Sequence, residues 1–377
     1  MRVATFNILH GVPQRDLEME SELTAGAPDE AVSQRRRSRA RRGRATPTTD
    51  AGAGSTAVGP GSDPHHLESL DDLPDDVDAS SITVPGADPE ARLVWSPKVD
   101  SPKELIRAIE ELCQDGAPDL LALQEVDVGQ PRSAGVDQVA EVARVMGAVD
   151  WRFAPSLVGK AGIRSEGGEW VPATAADDWP PLPPTTRYAG PSGPVQKGRT
   201  EEPTAPRYGV ALLSSYPVRE WRIKRFPPAP HALPLLAPSD TKRPRAVRVP
   251  DEPRVILAAI VEAPGTDLTI ATAHLSFVPG YNTRQLTEAR AFLGGLPRPL
   301  ILMGDFNAPG KLPALVTGWD QVARVRTYPV SRPRIQFDHI LADGWTDEAI
   351  EAARGNAQAM ALPVSDHCAL VAEFPDP

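Results

Sequence analysis

Short apolar runs, many of them β-branched, recur along this chain and are cut off by glycine, proline or a polar residue before they reach helix length. Strands are predicted at 3–9, 119–124, 207–214, 218–224, 254–262, 267–274, 299–303, 336–341 and 368–374. Several follow one another with no helix between, so the expected architecture is packed mixed sheets flanked by helices. Helices are predicted in few places. Ser101-Pro102-Lys103-Glu104 joins a serine cap, a proline at the first helical position and a glutamate three residues after the cap. Leu105, Ile106, Ile109, Leu112 and Cys113 then share one face until Gly116 stops the helix. Val136 to Met146 and about 280–294 read as two more.

The 42 prolines and 29 glycines of the 377 residues mark where the pattern fails. Between 13 and 97 acidic clusters, an arginine run and a Gly/Ala/Thr/Pro tract follow one another, without an aromatic until Trp95. Such a segment cannot bury enough apolar surface to offset its backbone entropy. The interval 159–205, with eight prolines, reads the same way. Both are expected to be disordered insertions in one domain spanning 1–377, whose ordered part is about 245 residues.

A net charge of -10 argues against a protein that coats nucleic acid through a generally positive surface. Two cysteines exclude a disulfide scaffold, and Cys113 and Cys368 sit in apolar patterns as small hydrophobes. No run approaches the ~18 to 20 apolar residues of a membrane span, so no stable membrane insertion is expected. The first run reads as a core strand and not as an export signal, which makes the cytoplasm the expected location; separately, a monomer is the expected state.

The chemistry lies where uncharged strands end. Asn7 ends the first, Gln124-Glu125 the second, His274 the run from Leu268, and Asp305 and Asn307 follow Leu300-Ile-Leu-Met-Gly; Asp366-His367 opens the last. Taken singly, each has an ordinary explanation as a turn former, a solvated carboxylate or a hydrogen-bonded core histidine. Together they form one equipment. Hard divalent ions take oxygen ligands, so carboxylates from different strands suit Mg²⁺ or Mn²⁺ better than Zn²⁺. Amides at Asn7 and Asn307 can donate to an anionic oxygen, and the histidines can carry a proton or stabilise charge.

The order of these segments resembles the endonuclease/exonuclease/phosphatase superfamily of metal-dependent phosphoesterases. The matching motifs are Ala4-Thr-Phe-Asn7, Leu123-Gln-Glu125-Val126, Thr272-Ala-His274-Leu275, Gly304-Asp305-Phe306-Asn307, Phe337-Asp338-His339-Ile340 and Ser365-Asp366-His367. The resemblance implies a four-layered α/β sandwich, two packed sheets with helices outside and the site along one edge. It also implies roles: Glu125 as principal Mg²⁺ (or Mn²⁺) carboxylate, with Asn7 and Asp366 beside it, and His367 as general base oriented by Asp338. In a second assignment Asp305 handles the water while Asn307 and His274 stabilise the phosphorus centre. Arg132 and Gln285 are expected to contact substrate. Asp127 stands where abasic-site endonucleases usually carry a lysine, which counts against that branch.

The implied function is hydrolysis of a phosphate ester by directly attacking water, with DNA and RNA among the candidate substrates and no choice made by the motifs. A second reading is a catalytically inactive binding module that recruits nucleic acid or a protein partner through the arginines at 35, 36, 37, 39, 41, 42 and 44. Acidic side chains outnumber basic ones across 13–97, which weakens it. Replacing 13–97 by a short Gly/Ser linker is expected to leave folding and turnover of a small substrate nearly unchanged, because loop-closure entropy grows slowly with length. Circular dichroism and activity of the deletion variant test this; an unfolded product refutes it.

Overall fold

A chain whose apolar residues alternate along short strands can bury them only by pressing one sheet on another or on helices. In the computed structural model, which describes residues 1–9, 102–162, 168–178, 205–237 and 245–375, it does both. The elements in chain order are β1 (Arg2–Asn7), α1 (Pro102–Leu112), β2 (Leu120–Val128), α2 (Gln138–Met146), β3 (Asp150–Lys160), β4 (Glu169–Pro172), β5 (Arg207–Ser214), β6 (Val218–Phe226), β7 (Leu233–Ala237) and β8 (Arg245–Val249). There follow β9 (Arg254–Glu262), β10 (Asp267–His274), α3 (Tyr281–Leu293), β11 (Leu300–Asp305), α4 (Leu312–Thr317), β12 (Asp320–Gln321), β13 (Asp338–Asp343), α5 (Asp347–Asn356), β14 (Gln358–Met360) and β15 (Ala369–Glu373). The described strands form a seven-stranded sheet in the order β14-β15-β1-β2-β5-β3-β4 and a six-stranded sheet in the order β12-β13-β11-β10-β9-β6, with β7 and β8 paired apart. Each large sheet holds one parallel pair, β1 with β2 and β10 with β11.

Strand periodicity divides the core into three apolar layers. Val3, Leu120, Ala122, Val210 and Leu212 of one sheet meet Leu257, Ile270, Ile301, Met303 and Ile340 of the other in the middle. The alternate residues Ala4, Phe6, Leu121 and Leu123 face outward onto Leu105, Ile109 and Leu112 of α1 and Val139 and Val142 of α2. On the far side Ile256, Ala271, Leu300 and Leu302 pack on Leu286, Ala289 and Leu293 of α3. This is the expected four-layered α/β sandwich. Full burial of side chains such as Phe6 or Leu121 is worth ~1.5 to 3 kcal/mol each, so the layers are held largely by apolar transfer.

The structure adds to the sequence reading in several places. Of the interval 159–205, expected to be disordered, residues 159 and 160 end β3, and Glu169–Pro172 is a strand paired with it. Its Trp170 packs with Leu157, Ala161 and Tyr208, and the indole donates to the Gly162 carbonyl at 2.9 Å, an apolar anchor hidden by the surrounding prolines. The expected insertion 13–97 and the Ser101 cap lie outside the described residues. The long strand β3 escaped prediction because Pro155 interrupts it; the ladder to β5 shifts between Pro155 and Leu157, where a missing N–H is tolerated. No described helix is long and apolar enough to cross a membrane.

One glycine sets how closely β10 and β11 approach. Gly304 has φ 146°, and a Cβ there would lie 2.0 Å from the Ala273 carbonyl oxygen. Gly304→Ala is therefore expected to destabilise by clearly more than Gly135→Ala, whose positive φ of 72° has open space and should cost about 1 to 2 kcal/mol. Urea unfolding of the two variants gives the comparison; equal midpoints would remove the steric argument.

Candidate active site

The alternation that fills the middle layer also builds the site. Val3 points between the sheets, and so do Thr5 and Asn7 two and four residues on; Ile301 and Met303 lead in the same way to Asp305, and Leu268 and Ile270 to Thr272 and His274. Register then lines up His274, Asp305 and Asp338 across β10, β11 and β13. Polar side chains thus replace apolar ones at one edge of the layer. Within it Thr5 donates to Gln124 at 3.2 Å and Gln124 to Thr272 at 2.9 Å, a bond that joins the two sheets.

Glu125 breaks the alternation. Gln124 occupies the inward position, so a regular strand would send Glu125 to the helix side. A bulge between Leu123 and Val126, with Glu125 at φ 57°, brings its carboxylate to the site instead. There the Asn7 amide donates to Glu125 Oε1 and to Asp305 Oδ2, each at 3.0 Å, while Asn7 Oδ1 accepts from Leu9 N at 3.1 Å. Burial, with Asp366 and Asp305 nearby and the Asn7 bond in opposition, pushes Glu125 up to about 7. Burial likewise pushes Asp305 up to about 6 against the pull of His367, and it raises Asp366.

His367 donates from Nδ1 to Asp338 Oδ2 at 2.8 Å, and its Nε2 lies 3.7 Å from Asp305 and 4.0 Å from Asp366. Burial alone would lower this imidazole, but Asp338 and Asp305 outweigh it and hold the ring well above its ordinary value. His274 is the opposite case. Burial and the Arg254 guanidinium push it well below its ordinary value, so it is neutral. Arg254 Nη1 lies 3.0 Å from Nδ1 and 3.3 Å from Nε2, and Nε2 also lies 3.3 Å from the Asn307 amide nitrogen, 3.8 Å from Asp305 and 4.0 Å from Glu125. Asn307, at φ 49°, donates from its backbone N–H to Asp305 Oδ1 and from its side-chain amide to Leu275 O.

Eight of the expected residues therefore converge, and two do not reach the site directly. Arg132 makes two bonds to Asp127, at 2.7 and 2.8 Å, and lies over the Tyr208 ring, which braces the strand just beyond Glu125. Gln285 is 2% exposed, so it is no surface for substrate; its amide oxygen accepts from Ser276 N and fixes the segment after His274. Cys368 is buried and burial pushes its thiol up to about 11, in keeping with a core role.

Three supports were given no role from the sequence, although Ser365 and His339 stand inside the matching motifs. Asp251 accepts from Ser276 Oγ and Ala229 N and stands 3.7 Å from Arg254. Ser365, at φ 79°, donates to the Asn7 carbonyl and accepts from His367 N, tying the first strand to the last. His339 contacts the Ala308 carbonyl at 2.9 Å and stacks on Phe306, and burial pushes it down to about 4, so it braces the Asn307 turn as a neutral ring. Arg254 left a trace only as a charge opening a long apolar strand.

A family model described as the Endonuclease/Exonuclease/phosphatase family matches residues 94–367, and no curated protein matches. Among solved structures, an endonuclease/exonuclease/phosphatase from Beutenbergia cavernae is 19% identical with a TM-score of 0.41, over 73% of this chain and 66% of that one. A mannosyl-6-phosphatase from Bacteroides thetaiotaomicron is 12% identical with a TM-score of 0.38, over 73% and 92%. A sphingomyelinase C from Streptomyces griseocarneus is 15% identical with a TM-score of 0.38, over 71% and 91%. The family match runs from ahead of α1 to His367 and takes in every converging residue except Asn7, so this chain belongs to the endonuclease/exonuclease/phosphatase family.

Proposed function

We propose that this protein is a divalent-metal-dependent phosphoesterase that hydrolyses a phosphodiester by direct attack of water. One observation carries the reading: carboxylates from opposite sheets face one another at a single edge, and burial with mutual repulsion holds them above their ordinary values. A cluster of that kind suits a cation. Asp366 Oδ1 is buried without a hydrogen-bond partner, a free oxygen of the type a hard ion takes.

Glu125, Asp366 and Asn7 would hold Mg²⁺ or Mn²⁺. Ligand atoms of Asp305, Asp338 and His367 also lie within 4.8 Å of one another. That trio is the weaker holder, because His367 already gives its Nδ1 proton to Asp338 and its ring favours the cationic form. When bound, the ion supplies Lewis acidity to a phosphoryl oxygen. The chain's own residues do the rest. Asp338 fixes the His367 ring so that Nε2 faces the site, where it takes the proton of the attacking water once the surrounding carboxylates are charge-compensated. The Asn307 amide and the neutral His274 ring stand beside the position where charge would build on phosphorus and stabilise it by hydrogen bonding. Asp305, accepting from Asn7 and Asn307, orients the water.

Turnover of bis-p-nitrophenyl phosphate with Mg²⁺ should be lost in EDTA and in Glu125→Ala. An inert wild type that still binds nucleic acid would favour a catalytically inactive binding module.

The pairing of His367 with Asp338 gives a sharper expectation. His367→Ala should lower kcat by ~10² to 10⁴, and Asp338→Asn substantially, while the double variant falls little below His367→Ala, since the two act as a unit. Metal affinity, measured by calorimetry beside the kinetics, reports disturbance through Asp366. Near-normal turnover of His367→Ala across pH, with Asp305→Asn dead and metal still bound, would move the base to Asp305.

A further inference from the structure

The loop between β12 and β13 carries Arg324, Arg326, Arg332 and Arg334 and no acidic residue from 322 to 335, in a chain of net charge -10. All four are exposed, and among the described residues none makes an ion pair. Like charges gathered in this way repel one another, so the loop gains nothing for stability from them.

The loop is nevertheless fixed to the catalytic edge. Thr327 O accepts from Cys368 N at 2.8 Å, next to His367, and Asp366 O accepts from Val330 N at 2.7 Å. Thr327 Oγ1 accepts from the N–H groups of Phe337 and Asp338, each at 3.3 Å. The Tyr328 ring lies 4.8 Å from the His367 ring. Its two limbs close on themselves through Thr327 N to Ile335 O and Arg334 N to Tyr328 O. Arg326 therefore adjoins Thr327, which is bonded directly to the site, and Arg334 is tied through its N–H to Tyr328, whose ring meets His367, on a backbone that does not need to be ordered on binding.

Building on the phosphoesterase reading, we propose that this loop docks a nucleic-acid strand, its arginines holding phosphates on either side of the one placed at His367. Arginine meets phosphate bidentately, and spaced, exposed arginines suit a chain of phosphates. A compact polyphosphate headgroup would call for a concave pocket, and a membrane surface for apolar side chains beside the charges. The large exposed apolar residues among those described are Val149, Val171 and Leu315, none on this loop.

Binding of a fluorescein-labelled single-stranded oligodeoxynucleotide to the full chain in EDTA, followed by anisotropy across a NaCl series, tests this without catalysis. Against wild type, the variant Arg324→Gln/Arg326→Gln/Arg332→Gln/Arg334→Gln should bind roughly tenfold or more weakly. Its log K against log salt should be shallower by about 3, at ~0.7 per lost contact. Mg²⁺-dependent turnover of bis-p-nitrophenyl phosphate should be unchanged. The arginines of 35–44 are present in both proteins and cancel. Equal affinity and slope, or a wild type that binds no oligonucleotide at low salt, overturns the proposal. So does arginine-dependent binding to vesicles containing a phosphoinositide but not to DNA, or loss of small-substrate turnover in the variant. Failure of the phosphoesterase reading shows separately, as a wild type that never turns over the small substrate.

Discussion

Carboxylates from two different sheets are held within reach of one another away from bulk water, and most of the site answers that constraint. An uncompensated cluster of this kind is costly, since each ionised group loses hydration and repels the others. The Asn7 amide spends both its protons on Glu125 and Asp305, one in each sheet, and so joins the layers at the point of greatest repulsion. The imidazolium of His367, held by Asp338, supplies positive charge within the chain. The divalent ion we propose would complete the compensation.

The apolar middle layer gives this arrangement its precision. The same period of two that sends Val3, Ile301 and Ile270 into the layer sends Asn7, Asp305 and His274 to its edge, so packing and chemistry share one geometric rule. Departures from the rule are local. The bulge at Glu125, the positive φ of Asn307 and Ser365, and the close approach at Gly304 each re-aim a side chain or bring two strands together. Behind them stands a shell of fixed polar groups. Asp251 with Arg254 sets His274, His339 sets the Asn307 turn, and Ser365 ties the last strand to the first. The two histidines are driven in opposite directions by these neighbours, one by a guanidinium and one by carboxylates. One is thereby suited to hydrogen bonding as a neutral ring and the other to carrying a proton.

The ordinary strands and helices were legible because each declares itself over a few residues. The alternation at 207–214, 254–262 and 267–274 predicts the observed strand bounds, and the face formed by Leu105, Ile109 and Leu112 predicts α1. Pro155 hid β3, and the prolines around Trp170 hid β4, because a local pattern cannot show that a neighbouring strand will absorb the irregularity. Seven of the eight residues that converge were legible as polar groups at strand ends, and Asp338 only through the family motif. Arg132 and Gln285 were legible as polar groups too, but their partners, Asp127 and Ser276, were not.

The sequence by itself determined most of the strands, which faces are apolar and most of the polar residues at strand ends, since these follow from short-range sterics and the period of the chain. Only the tertiary structure decided that Asn7 meets Asp305 across 298 positions of sequence, that Glu125 turns inward, and that His274 and His367 differ in charge. The physical reason is that hydrogen-bond partners, desolvation and charge coupling depend on distances in space. Those distances are set by how two sheets register against a common apolar layer, and no local stretch of sequence contains them.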